Sequence, residues 1–284
     1  NKKNSIKHIQ NIDCKKIYLA IDGPKNTQLE KNKNKKIIDF LNKAKFKSKK
    51  VFLIRKKNLG CKLSISGAID WFFKFEESGI ILEDDMIPSK SFFKFCDFAL
   101  KKYSDCEKIM MISGTNYLGE KIISNKYFFS EHFLIWGWAT WKRSWKKYDV
   151  EMKKWKNTKV KNKLKKRYDR NEFNFLKNRF NSFFTDYSDT WDIQWYFACI
   201  LNKGLTIMPE ANLVSNIGIE GTHSKKYYKT LFLKYGKMQV NKIIDPEVIE
   251  RNNSFDKNLH RKFNYKNKIL LDFKKLIKKI LNFN

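Results

Sequence analysis

Four short apolar runs, at 17–21 (IYLAI), 51–54 (VFLI), 80–82 and 109–112 (IMMI), punctuate the first half of the chain, with stretches of helical spacing between them. A run of three to five apolar residues without polar alternation fits a strand covered on both faces. Such strands occur in sheets that carry helices on both sides. Asp22-Gly23-Pro24 stops the first run, and the basic loop 55–60 follows the second. From Ser64, the residues Ile65, Ala68, Ile69, Phe72, Phe73 and Phe75 recur at helical spacing, and Gly79 breaks that helix before the third run. Pro88 and Ser89 open a further helix bearing Phe92, Phe93, Phe95, Phe98 and Leu100. Strand-helix units in succession predict an α/β fold with a doubly wound mixed sheet.

The second half changes character. A short strand is expected at 127–129, an aromatic segment at 136–145 (WGWATWKRSW), and a charged helical region over 160–184. A helix over 191–201, capped by Asp189 or Thr190 and closed by Gly204, precedes strands at 205–208 and 212–215. At 284 residues the chain can bury one substantial core without a second domain. The reading is an α/β domain over 1–224 and a basic extension over 225–284. In that extension Ile269, Phe273, Leu276, Ile277, Ile280 and Leu281 share one face of a helix at 268–283, opposite Lys274, Lys275, Lys278 and Lys279. A basic amphipathic helix of this kind packs on its own domain or lies on an anionic membrane surface.

Sixty Lys and Arg against 29 Asp and Glu leave a formal charge of +31, which attracts nucleic acid, acidic headgroups or phosphorylated substrates. Lys, Asn, Ile and Phe are plentiful together, a bias that codon usage in an AT-rich genome also produces. No clustered nucleic-acid recognition motif is present, so no nucleic-acid partner is expected. The five cysteines, Cys14, Cys61, Cys96, Cys106 and Cys199, are odd in number and lack CxxC spacing, which fits a reducing compartment. No run approaches 18 consecutive apolar residues. The expected location is the cytoplasm, with peripheral attachment to the inner face of the membrane through the C-terminal helix.

Glu83-Asp84-Asp85 follows the third apolar run, where open α/β sheets bind ligands. Carboxylate oxygens suit a hard divalent cation, Mn or Mg, which in turn neutralises charge on a leaving diphosphate. An acidic turn after a strand is equally an ordinary solvated turn. Asp22-Gly23-Pro24-Lys25, Asn58-Leu59-Gly60, Gly79-Ile80-Ile81-Leu82-Glu83-Asp84-Asp85 with Pro88 and Phe92-Phe93, Ile112-Ser113-Gly114 and Trp136-Gly137-Trp138-Ala139-Thr140-Trp141 stand in this order. Together they resemble bacterial family-2-like GT-A glycosyltransferases over about residues 17–224. More distantly they resemble N-acetylglucosaminyltransferases that carry an EDD run.

The resemblance implies that Asp85 ligates a divalent cation, that Asp84 and Glu83 hold the ribose and order the site, and that Asp22 contacts the nucleoside. Asn58 and Gly60 stand beside it in the loop 55–60. It also implies a role for His223 in the metal site or at the diphosphate, after the loop Gly218-Ile219-Glu220-Gly221-Thr222, whose glycines let backbone approach a ligand. Inverting transfer needs a base for the acceptor hydroxyl. Asp192 in Trp191-Asp192-Ile193-Gln194-Trp195 fits that role, with Asp189 as substitute, although a carboxylate at a helix start is also explained by capping. Trp138 with Trp136 either walls a sugar pocket or belongs to the core. The expected partners are a nucleotide-sugar donor, of UDP type, and a hydroxyl of a surface glycan or glycolipid. The alternatives are a nucleic-acid-binding basic protein and a sugar nucleotidyltransferase. The first strand usual in these enzymes, with its FVYNRP-type loop, is not found before Ile17, so the sheet is expected to lack it.

Overall fold

A computed structural model of the chain describes residues 2–119, 121, 123–185, 189–218 and 235–263. The expected helix 268–283 and His223 lie outside them. After α1 (Lys2–Ile9), the first apolar run forms β1 (Lys16–Ile21). Helix α2 (Gln28–Lys43) starts where the Thr27 side chain accepts the amide of Glu30, and leads to β2 (Lys49–Ile54), parallel to β1 over its whole length. Then follow α3 (Gly60–Phe72), β3 (Ser78–Ile81), β4 (Met86–Pro88) and α4 (Lys90–Lys102), whose cap Ser89 accepts the amide of Phe92. β5 (Ile109–Ser113) is buried at every residue.

The second half runs β6 (Ile123–Ser124), β7 (Tyr127–Ser130), β8 (Trp138–Trp141), α5 (Lys142–Trp145), α6 (Thr158–Arg167), α7 (Arg170–Ser182), α8 (Asp192–Leu201), β9 (Leu205–Pro209), β10 (Val214–Asn216) and β11 (Lys237–Met238). Residues 253–263 are helical. The expected helical region 160–184 divides into α6 and α7. Asp169 caps the second by accepting the amides of Asn171 and Glu172.

The chain is therefore a mixed α/β protein. Its main sheet has the order β3-β8-β5-β9-β7, in which only β5 and β9 run parallel. β1 and β2 form a separate pair, and β10 pairs antiparallel with β4. The aromatic segment supplies the unexpected element, since β8 lies between β3 and β5 and runs antiparallel to both. All four of its residues are buried, so the polar-apolar alternation that would reveal a strand is missing.

Two cores lie on the two faces of this sheet. Along β8, Trp138 packs with α3, α7 and α8, whereas Ala139 and Trp141 pack with α4. The register shift between Ile109 and Met111 turns both Met110 and Met111 toward the first core, leaving Ile109 and Ile112 in the second. Trp138 is fully buried. It stacks on Trp191 at 5.6 Å between centroids and packs on Trp195 and Trp145. Replacing Trp138 with Ala is expected to cost about 3–5 kcal/mol, the usual penalty for emptying a large aromatic site. Urea unfolding checks this, and a loss below about 1 kcal/mol would contradict the packing.

The described part of the C-terminal extension, 235–263, packs on the rest of the chain. β11 pairs with β6, Leu259 is fully buried, and Phe255 lies 4.6 Å from Phe128 between ring centroids. The Arg251 guanidinium joins Asp256 at 2.6 Å and Glu131 at 3.5 Å, and also pairs with Glu172. A buried cluster of this kind is strongly destabilised by removing one member, because the others are left uncompensated.

Candidate functional site

β3 ends at Ile81, and the chain then turns through Leu82, Glu83, Asp84 and Asp85, a turn closed by the Met86 amide donating to the Glu83 carbonyl at 3.2 Å. This lifts the acidic run to the carboxyl end of the strand. Asp84 is exposed, while Glu83 and Asp85 are half-buried. The Glu83 side chain takes no hydrogen bond from any described residue. Burial first, then the charges of Asp85, Asp192 and Asp84, push its carboxyl up to about 8.

Asp192 reaches the same place from another element. It opens α8, whose cap position is Trp191, with no side-chain cap bond. The expected capping by Asp189 or Thr190 is not what forms. The Thr190 hydroxyl instead donates to the Asp192 carboxylate, whose other oxygen accepts the Arg179 guanidinium at 3.0 Å. Asp192 is partly exposed, and Arg179 lies over the Tyr196 ring at 4.9 Å. Asp189 accepts the amides of Cys61 at 3.2 Å and Lys62 at 2.9 Å, so it caps α3 from the connection before α8. α3 needs this, because its own cap residue, Leu59, has no acceptor side chain. Gly60, at φ +77, opens that turn, and a Cβ there would sit 3.0 Å from an Asp189 oxygen.

Cys61 shows how closely these acids gather. Burial, then Glu83, Asp189 and Asp192, push its thiol up to about 12. Tyr148, whose hydroxyl donates to the Trp191 carbonyl at 3.2 Å, is likewise raised, by burial and then by Asp192. Opposite them, the Ile217 amide donates to the Asp85 carbonyl at 2.8 Å. A Cβ on Gly218 would lie only 2.2 Å from an Asp85 carboxylate oxygen, so this glycine allows the loop after β10 to touch the acidic run.

The remaining expected site residues separate into two groups. Asp22, Asn58 and Gly60 assemble at the ends of β1 and β2. The Asp22 carboxylate accepts the amides of Gly23 at 2.9 Å and Leu59 at 3.1 Å and the Asn58 side chain at 3.1 Å. Gly60 and Cys61 join this knot to the acids around Glu83. Trp138 lies inside the core and offers no ring face to a ligand. It stacks on Trp191, the residue before Asp192. The sequence reading missed Cys61, the pairing of Arg179 with Asp192 and the capping role of Asp189. The only sequence signal for these was the glycine at 60.

The donor set at the site is carboxylate oxygen, the chemistry a hard divalent cation takes. Among the described residues, no three His, Cys, Asp or Glu side chains converge as a ready-made cation cage. No described helix is long and apolar enough to cross a membrane. The chain matches no known protein-family model and no curated protein.

Glu83 makes the site sensitive to pH. Its folded value of about 8 lies above its ordinary 4.5, so between these values the folded chain holds a proton that the unfolded chain has released. Stability conferred by that proton is present at low pH and falls as pH rises through the window. In chelator, the melting temperature is expected to fall between about pH 5 and 8. A divalent cation held by these acids would require the ionised form, so added Mn or Mg would then raise the melting temperature more at the alkaline end. Melts at both pH values check this, and a cation effect equal at both would contradict the coupling.

Proposed function

We propose that the chain is a metal-dependent nucleotide-sugar glycosyltransferase of GT-A type that inverts the transferred sugar. The observation that supports this is the meeting of two elements. Glu83, Asp84 and Asp85 at the end of β3 share their electrostatic surroundings with Asp192 at the start of α8. Asp85 holds the cation, with Glu83 and Asp84 beside it at the ribose and diphosphate. His223, a few residues beyond Gly218, is assigned to the same metal site from the sequence. When bound, the cation neutralises the charge that develops on the leaving diphosphate.

The knot of Asp22, Asn58 and Gly60 takes the nucleoside end of the donor, a UDP-sugar. Asp192 is the base. One oxygen is held by Arg179 and the other by Thr190, which fixes the carboxylate in place, and its proposed partner is an acceptor hydroxyl of a glycan or glycolipid. The test is a panel of sugar nucleotides assayed for release of nucleoside diphosphate with Mn or Mg and with chelator. The expected result is release from one donor class that stops with chelator. Release unaffected by chelator, or from no donor, would overturn the reading.

A further inference from the structure

Between Met152 and Arg170 the chain carries ten Lys and Arg and a single acid, Asp169. This stretch forms a 3-10 turn (Lys153–Lys156) and α6. Trp155 and Leu164 are buried and Val160 packs beside them, so the inward stripe of α6 is apolar. Lys153, Lys154, Lys156, Lys159, Lys163, Lys165 and Lys166 are exposed, and none of them forms an ion pair with a described residue.

The neighbouring acids are committed elsewhere. Asp169 caps α7, Asp149 accepts the amides of Glu151 and Lys153, and Glu151 pairs with Lys62 at 3.1 Å. Other surface lysines do pair, as Lys33, Lys101, Lys142 and Lys147 show. Among the described residues, the α6 face is thus left without compensating charge. An exposed aromatic stands at its border. Phe184 is 41% exposed, with the Lys156 ammonium 5.6 Å from its ring.

We propose that this face docks the protein on an anionic membrane surface. Lysine ammonium groups act as hydrated point charges on flexible stems, which suits diffuse headgroup charge. An exposed aromatic beside them suits the headgroup level. The arginines of the stretch do not provide a fork for phosphate or base edges as a set, since Arg167 is turned inward to the Ile200 carbonyl and Glu131.

The face also adjoins the candidate site. Phe184 packs on Phe183, the Lys62 ammonium lies 5.7 Å from the Phe183 ring, and the Lys62 amide is held by Asp189. On the sugar-transfer reading, on which only this point rests, docking brings the acceptor side to a membrane-borne hydroxyl.

The test measures co-sedimentation of the full chain with vesicles of phosphatidylcholine alone and of phosphatidylcholine with phosphatidylglycerol, without any donor. Binding only to the phosphatidylglycerol vesicles is expected, weakening as salt rises. The triple variant K159Q/K163Q/K166Q should lose of the order of a hundredfold in affinity. The triple variant K31Q/K35Q/K36Q, on exposed positions of α2, should lose only a few-fold. Melting curves confirm that both variants remain folded. Unchanged binding by the α6 variant would overturn the proposal, as would equal losses from the two variants. Tighter binding of the wild type to double-stranded DNA than to the anionic vesicles at the same salt would also overturn it. Because no donor is present, failure here is distinguishable from failure of the sugar-transfer reading.

Discussion

Replacing Asp85 with Ala is expected to lower cation-dependent release of nucleoside diphosphate at least about a thousandfold while leaving the protein folded. Charge neutralisation by a metal supplies several kcal/mol to the transition state, and about 1.4 kcal/mol corresponds to each tenfold in rate. The backbone contact at this position survives the substitution. The hydrogen bond from the Ile217 amide goes to the Asp85 carbonyl, which alanine keeps. The Gly218 loop gains space where a Cβ would have met the carboxylate. One of the charges that raise Glu83 also disappears, so the variant in chelator should be at least as stable as the wild type near pH 8. Steady-state turnover and chemical denaturation on one preparation check both halves. Unchanged turnover would remove Asp85 from the metal site. Unfolding of the variant would mean that the carboxylate serves the fold.

The second large effect is expected at Asp192. Asp192→Asn keeps an oxygen for Arg179 and a side chain of the same size, but it cannot accept a proton from an acceptor hydroxyl. General-base catalysis is worth about a hundred- to ten-thousandfold. Sugar transfer should fall within that range, while the affinity for nucleoside diphosphate stays within about threefold of the wild type. This split matters, because loss of a purely structural role at the helix start would show as stability and not as turnover. An Asn variant with full transfer activity would exclude Asp192 as the base. Loss of donor affinity equal to the loss of transfer would place it at the diphosphate.

Much of the frame was legible in the sequence. β1, β2, β3 and β5 coincide with the apolar runs, which end where Asp, Gly or a basic loop supplies the stop, although only β5 is buried at every residue and β1, β2 and β3 are half-buried. Complete burial concealed β8. Its four buried residues, two of them Trp, show no period, and their place between β3 and β5 is decided by packing against both cores. β4 is a three-residue strand that exists by pairing with β10 across a long stretch of chain, which local pattern cannot reveal, whereas β10 overlaps the strand expected at 212–215.

At the site, the acidic run was singled out by its place after a strand and Asp192 by the need for a base and the family resemblance, and the structure puts their charges in one neighbourhood. The missing information was tertiary. Asp189 was expected at the start of α8, yet it serves α3, because Leu59 leaves those amides without an acceptor and Gly60 lets the carboxylate come close. Trp138 could have walled a pocket or filled the core, and the stacking on Trp191 places it in the core. Gly218 stood in a loop expected to approach a ligand, and it approaches the acid assigned to hold one.

The acids around Glu83 are proposed to bind a nucleoside diphosphate through a divalent cation. Calorimetric titration of UDP, with GDP, CDP and dTDP alongside, into the full chain at pH 7.5 tests it most directly. One of these diphosphates is expected to bind at least about tenfold more tightly with Mn or Mg than with chelator, and Asp85→Ala is expected to abolish this difference. Equal affinity with cation and with chelator for every diphosphate, or a cation effect that survives in Asp85→Ala, would contradict it.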